Sequence, residues 1–247
     1  MTRTFEGQRF VITGGATGIG YAIAQELTDD GAQVCLVGRR QSALDDAVER
    51  LGSAAWSISA DVSSVEEVAR VGAEVRARWD RLDGLVNNAG IAPMATLAET
   101  DPESWDHTFA VNVRGPYLVC REFLSLLADS PTAAIVNVSS TLAEKAIPGM
   151  AAYNASKAAL NQMTRSLALE VAPGVRVNAV MPAVVDTPIH AGRGMSSEDV
   201  ASMGPWHPMQ RVGRSEEVAA MVVFLLSGAS SWTTGAVIPV DGVMLAG

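Results

Sequence analysis

Ser140, Tyr153 and Lys157 are residues whose types and spacing could do chemistry together, thirteen and then four positions apart. A phenol and an ammonium four apart in a helix-forming run lie on one helix face, one turn from each other. A free tyrosine, with a pKa of about 10, exchanges protons poorly at neutral pH, and a nearby cation lowers that value. The pair therefore reads as an acid/base device. A Tyr-x-x-x-Lys pair by itself also occurs on plain helix surfaces. It gains meaning from a second constellation near the start of the chain, where Phe10-Val11-Ile12-Thr13 runs into Gly14-Gly15-Ala16-Thr17-Gly18-Ile19-Gly20.

An apolar strand that feeds a glycine turn and opens a helix has a specific use. Gly14, Gly18 and Gly20 let the backbone turn tightly and approach a pyrophosphate, while the helix N-terminus offers unpaired N–H groups to it. The alternative is that the glycines serve only a tight turn. Dinucleotide sites for an unphosphorylated ribose place an acidic residue about 20 positions past the glycine motif. Here that place holds Gly38, followed by Arg39 and Arg40, and a guanidinium is a natural fork for a 2′-phosphate. NADP(H) is thus favoured and NAD(H) stays possible, since both arginines could also be solvated loop residues.

The elements that must position these groups follow from the hydrophobic pattern. Strands are expected at Arg9–Thr13, Gln33–Gly38, Ala54–Ser59, Gly84–Asn87, Ala134–Val138, Arg176–Val180 and Val237–Val240. Helical spacing fills Ile19–Asp29, Ser42–Leu51, Ser64–Trp79, Pro102–Leu127, Ala152–Val171 and Ser215–Ser227. This alternation predicts an α/β, Rossmann-type, doubly wound fold: one domain over residues 1–247, with a seven-stranded parallel sheet covered by helices on both faces. Ligands bind such sheets outside the carboxyl ends of the strands, which is where the motifs stand.

Bulk properties narrow the classes of function. At 247 residues and 48% apolar content the chain can bury a large core. Its formal charge of −9 argues against a nucleic-acid groove or an anionic membrane surface. The longest apolar run, Val218 to Leu226, is too short to span a membrane, and the opening residues lack the apolar region of a signal peptide. A soluble, cytoplasmic protein is expected. Cys35 and Cys120 have no metal-ligand spacing and read as core residues, and no His/Cys/carboxylate cluster suggests a metal.

With Thr13-Gly14-x-x-x-Gly18-x-Gly20, Asn87-Asn88-Ala89-Gly90, Ser140 and Tyr153-x-x-x-Lys157 in this order, the chain resembles the short-chain dehydrogenase/reductase family over nearly its whole length. The resemblance implies that Tyr153 is the general acid/base, that Ser140 positions the alcohol or ketone oxygen, and that Lys157 binds the nicotinamide ribose while lowering the Tyr153 pKa. It implies that Asn112 holds a water linking Lys157 to solvent. Further cofactor contacts are implied for Gly14, Thr17, Gly18, Ile19 and Gly20, for Asp61 and Val62 beside the adenine, for Asn88, Ala89 and Gly90 along the adenosine ribose, and for Pro182, Val185 and Thr187 near the carboxamide. Three positions depart from the family pattern: Ala183 follows Pro182 in place of glycine, Val243 ends the usual Asp-Gly-Gly, and Thr17 replaces a basic residue frequent in NADP-preferring members. The last of these counts against the NADP(H) preference.

Between Thr187 and Arg214 the regular patterning lapses, as expected of a substrate lid at about 187–214 that includes Gly192, Met195, Met203, Trp206 and Met209. Together with Leu142, Ile147 and Met150 these residues predict an apolar, adaptable substrate wall, although they could equally pack the lid or a subunit interface. The expected activity is NAD(P)-dependent oxidation or reduction of a small or medium, apolar secondary alcohol or ketone, with Ser140, Leu142, Ile147, Met150, Tyr153, Met195 and Trp206 facing it. His190 and His207 are read as packing or surface residues. Arg193, Arg211 and Arg214 keep a 3-oxoacyl-[acyl-carrier-protein] reductase as the alternative, and a non-catalytic dinucleotide sensor or scaffold is the remaining class. Apolar residues on several faces of the two longest helices, which family members pair across a four-helix interface, predict a homotetramer, with a dimer as the alternative.

Overall fold

The structure, a computed structural model, describes residues 4–191 and 194–246. Seven parallel strands form one sheet: β1 (Arg9–Thr13), β2 (Gln33–Gly38), β3 (Ala55–Ser59), β4 (Gly84–Asn87), β5 (Ala134–Val138), β6 (Arg176–Pro182) and β7 (Val237–Val240), in the order β3-β2-β1-β4-β5-β6-β7. The connecting helices are α1 (Gly18–Asp29), α2 (Gln41–Leu51), α3 (Val65–Arg78), α4 (Pro102–Phe109), α5 (Gly115–Ala128), α6 (Ala151–Val171), α7 (Pro188–Ala191), α8 (Ser197–Ala201) and α9 (Ser215–Leu226). The expected doubly wound architecture is what forms.

Strand alternation builds two cores. Phe10 and Ile12 of β1 face one side with Leu36, Val136 and Val180, packed by Ile23, Leu27, Leu44 and Val222. Val11 faces the other with Cys35, Leu85, Ile135 and Val177, packed by Val71, Val75, Val119 and Phe123. Such strands are apolar on both faces because helices cover both. Both thiols lie in the second core, where burial pushes Cys120 up to about 12 and raises Cys35 as well.

Local signals set the ends of the elements. Ser64 caps α3 by accepting from the Glu67 amide at 3.2 Å, with Glu66 and Glu67 in its first turn and Arg76 and Arg78 in its last, as the helix dipole favours. At the other end of α9, Arg176 donates to the carbonyls of Leu225, Leu226, Ser227 and Ser230 at 2.7 to 3.3 Å. One guanidinium so gathers the acceptors of this helix end, three of which it shares with Ser230 and Thr233 and one of which, the Leu226 carbonyl, it serves alone among the bonds outside the helix.

Three expected boundaries are corrected. β3 starts at Ala55, because Gly52–Ala54 forms a 3₁₀ turn entered with Gly52 at φ +73°. β6 runs two residues past Val180 and pairs Pro182 with Val240. The single helix expected over Pro102–Leu127 is interrupted by a π-helical turn at Ala110–Arg114, which has consequences for Asn112. Residues 187–214 are less irregular than expected, holding α7, α8 and a 3₁₀ turn at Gly204–Trp206. Among the described residues no helix is long and apolar enough to cross a membrane.

Candidate active site

The strand order reverses between β1 and β4, and a cavity of about 750 Å³ opens over the carboxyl ends of the central strands. Its position follows from the topology, since neighbouring crossovers leave that point in opposite directions. The residues singled out from sequence meet there: Gly14, Thr17, Gly18, Ile19, Arg39, Arg40, Asp61, Val62, Asn88, Ala89, Gly90, Ser140, Tyr153, Lys157, Pro182, Val185 and Thr187 all line it.

At one end the glycine turn is held by the segment after β4. Asn88 donates from Nδ2 to the carbonyls of Thr13 and Gly14 at 3.1 and 3.0 Å, while the amides of Asn88 and Ala89 donate to Thr13 Oγ1 at 3.0 and 3.1 Å. Gly14 has φ +64°, and a Cβ on it would meet Asn88 Nδ2 at 2.8 Å. Gly20 does not line the cavity; a Cβ there would collide with the Gly14 carbonyl, so its role is to let α1 pack onto the turn. Thr17 at the N-cap of α1 makes no side-chain cap bond. The first-turn amides of a twelve-residue helix thus border a glycine-lined hollow, which fits a pyrophosphate.

Arg39 and Arg40 are exposed at the end of β2, and among the described residues neither makes a salt bridge. Arg40 is the N-cap of α2 and leaves that helix end without a side-chain cap. Across from them, burial raises the Asp61 carboxyl, but bonds from the Ser63 amide and hydroxyl and the charge of Arg39 outweigh it and hold Asp61 below the usual range. Asp61, Arg39 and Arg40 line the same end of the cavity.

Ser140, Tyr153 and Lys157 line the cavity as well. Lys157, 4% exposed, donates from Nζ to the Val138 carbonyl at 2.9 Å and lies 5.8 Å from the centre of the Tyr153 ring. Burial pulls its pKa down to about 8. Ser140 Oγ accepts from the Leu142 amide at 3.1 Å and so caps the 3₁₀ turn Thr141–Ala143. That bond takes a lone pair, leaving the hydroxyl proton to be donated to an oxygen in the cavity. Tyr153 packs with Ala92 and Met150 against Leu142, Ile147 and Ile189.

Asn112 is buried and does not line the cavity. In the π-helical turn its side chain clamps Ile91, accepting from the amide and donating to the carbonyl, both at 2.9 Å, and donates to Ser156 Oγ at 3.0 Å. Ser156 in turn donates to the Tyr153 carbonyl at 2.7 Å. Asn112 therefore ties the loop after β4 to α6. A π turn often marks a functional position in a helix, and Asn112 lies in this one.

At the far end Leu142, Ile147, Met150, Met195 and Trp206 line the cavity as expected. His190 joins them, whereas His207 is a packing residue whose Nε2 accepts from the Val184 amide at 3.4 Å. Gly192 and Arg193 lie outside the described residues. Met94, Ile189 and Met244 also line it and have no spacing or motif to single them out in sequence. Among the described residues no cluster of His, Cys, Asp and Glu could hold a metal ion.

Known proteins resemble this chain over nearly all of its length. Residues 14–244 match the family model described as enoyl-(acyl carrier protein) reductase. The chain is 37% identical over 247 residues to cis-4-hydroxycyclohexanecarboxylate dehydrogenase of Sinomonas cyclohexanicum, covering 98% of each chain. It is 35% identical over 254 residues to 2-(S)-hydroxypropyl-CoM dehydrogenase 3 of Xanthobacter autotrophicus, covering all of both. Among solved structures, the Brucella melitensis protein titled short-chain dehydrogenase/reductase SDR: glucose/ribitol dehydrogenase superposes with a TM-score of 0.92 at 32% identity, covering 99% of both chains.

Proposed function

The chain belongs to the short-chain dehydrogenase/reductase family, and from that premise we propose that it interconverts a small or medium, apolar ketone and its secondary alcohol, with NADP(H) preferred over NAD(H). It is an oxidoreductase of hydroxyl and keto groups, and its family uses a nicotinamide cofactor. The observation that carries the finer reading is that one cavity joins the uncapped glycine turn to Ser140, Tyr153 and Lys157.

The cofactor, when bound, supplies or accepts the hydride. The glycine turn and the α1 amides would hold its pyrophosphate, Asp61 and Val62 its adenine, Asn88–Gly90 its adenosine ribose, Lys157 the other ribose, and Pro182, Val185 and Thr187 its carboxamide end. Ser140 donates its hydroxyl proton to the substrate oxygen and fixes its position. Tyr153 gives that oxygen a proton from its phenol oxygen in reduction and takes one back there in oxidation. Lys157, charged below about pH 8, favours the phenolate. Asn112 acts through Ile91 and Ser156 to keep the floor of the site and the Tyr153 turn in register. A water on its way from Lys157 to solvent remains part of the proposed relay.

Residues 187–214 form the lid in this reading, and Leu142, Ile147, Met150, Met195 and Trp206 the apolar wall against the substrate. The description of the matching family model favours acyl-carrier chemistry as a second reading. Of the described arginines named for it, Arg211 is held by Glu217 through both Nη atoms at 2.8 and 2.6 Å, whereas Arg214, 3.5 Å from the same carboxylate, keeps 72% of its side chain exposed.

Parallel titration of the protein and of Arg39→Ala with NADPH and NADH, read by nicotinamide fluorescence, tests the cofactor assignment. Loss of charge-assisted bonds to a 2′-phosphate should weaken NADPH at least about tenfold and NADH less than about twofold. Tighter NADH binding by the unaltered protein would overturn the preference.

A further inference from the structure

We infer that the turn following β7 is the far wall of the substrate end and that Met244 is a specificity-determining residue, an inference that rests on the ketone reading above. Met244 lines the cavity and is only 6% exposed. The turn that carries it is built to hold it there. The Asp241 carboxylate accepts from the amides of Val243 and Leu245 at 3.0 and 2.8 Å, and the Met244 amide donates to the Asp241 carbonyl at 3.1 Å. Val243 adopts φ +73°, a left-handed conformation that is costly for a β-branched residue and persists only where the surroundings over-determine it.

Two further bonds hold the next residue, Met244, and both come from the segment directly after Ser140. Lys145 donates from Nζ to the Met244 carbonyl at 3.1 Å, and Thr141 Oγ1 lies 3.9 Å from Met244 Sδ as a weak donor. Since Ser140 Oγ caps the same segment through Leu142, the Met244 wall and the serine that positions the substrate oxygen belong to one bonded unit. The distance from the reacting oxygen to the far wall is thereby fixed by short contacts. Met94 after β4 and Met195, Met203 and Trp206 between β6 and β7 complete the surround. Thioether side chains adapt to shape, so the wall selects by bulk. The ligand class is an uncharged ketone whose apolar substituent reaches the Met244 side chain.

The test compares NADPH-dependent reduction of cyclohexanone and 4-tert-butylcyclohexanone by the unaltered protein, Met244→Trp, Met244→Ala and Lys145→Met. Met244→Trp should lower kcat/KM for the bulkier ketone relative to the smaller by at least about tenfold, with NADPH affinity unchanged within about twofold. Met244→Ala should shift the ratio the other way, and Lys145→Met, which releases the wall without touching the cavity chemistry, should shift it in the same direction as alanine. An unchanged ratio in folded, NADPH-binding variants would overturn the inference. If the unaltered protein binds NADPH but reduces neither ketone, the ketone reading has failed. The wall is then read without turnover: Met244→Trp should weaken Nile red binding to the NADPH-bound protein about tenfold, and unchanged affinity would overturn it.

Discussion

Lys157→Met should make the protein less sensitive to alkaline pH in its stability while abolishing its function. The ammonium is buried, and its pKa falls from an ordinary 10.5 to about 8 because burial disfavours the charged form. At about 1.4 kcal/mol per pH unit, holding that charge in the folded state costs about 3 kcal/mol at pH 7, and under about 1 kcal/mol at pH 10. The sign follows from proton counts. Between about pH 8 and 10.5 the unfolded chain binds more protons at this residue than the folded chain, so this contribution to stability rises with pH across that window. Methionine keeps the length of the side chain but has no proton to lose. It also leaves the Val138 carbonyl without its 2.9 Å donor, a pH-independent cost of about 1 to 3 kcal/mol, so the pH dependence is the diagnostic quantity. Urea denaturation of both proteins without cofactor at pH 7, 8, 9 and 10 measures it. The unaltered protein should gain about 2 to 3 kcal/mol relative to Lys157→Met between pH 7 and 10. A difference constant across that range would refute the buried-charge account. In kinetics, kcat/KM for NADPH should fall above pH 8 as the ammonium is lost.

Arg176→Met removes donors from four carbonyls at the end of α9, three of which keep another partner, and should cost about 1 to 3 kcal/mol in urea denaturation, an effect below about 0.5 kcal/mol being incompatible with the guanidinium plug. Exposed Tyr117 and Leu124 on α5 and Leu169 on α6 fit association through those helices, and light scattering at micromolar concentration should return a tetramer, whereas a monomer alone would remove it.

The fold was legible in the sequence because parallel strands covered on both sides are continuous apolar runs, and β1, β2, β4, β5 and β7 begin and end where that pattern does. The cavity was legible because Gly14, Asn88–Gly90, Ser140 and Pro182 sit at or just past strand ends, where topology gathers them, and because Tyr153 and Lys157 are one turn apart on α6. Other features rest on contacts between distant segments and leave no local trace. The π turn at Ala110–Arg114 falls inside a run with unbroken helical character, and what stabilises it is the clamp of Asn112 on Ile91, 21 positions earlier. Met244 reaches the cavity through bonds to Lys145 and Thr141, each about a hundred positions away. Gly20 illustrates a partial success: the motif identified it, but its use is close packing of α1 on the Gly14 carbonyl rather than contact with a ligand.

The most direct test of the central claim is ketone reduction by Tyr153→Phe beside the unaltered protein, with NADPH binding followed in the same samples. The phenol oxygen is the proposed proton donor, whereas the ring that packs on Met150 and Ala92 is kept in phenylalanine. Turnover should fall by more than about a hundredfold with NADPH affinity nearly unchanged. Turnover equal to that of the unaltered protein would remove Tyr153 from the chemistry and contradict the account.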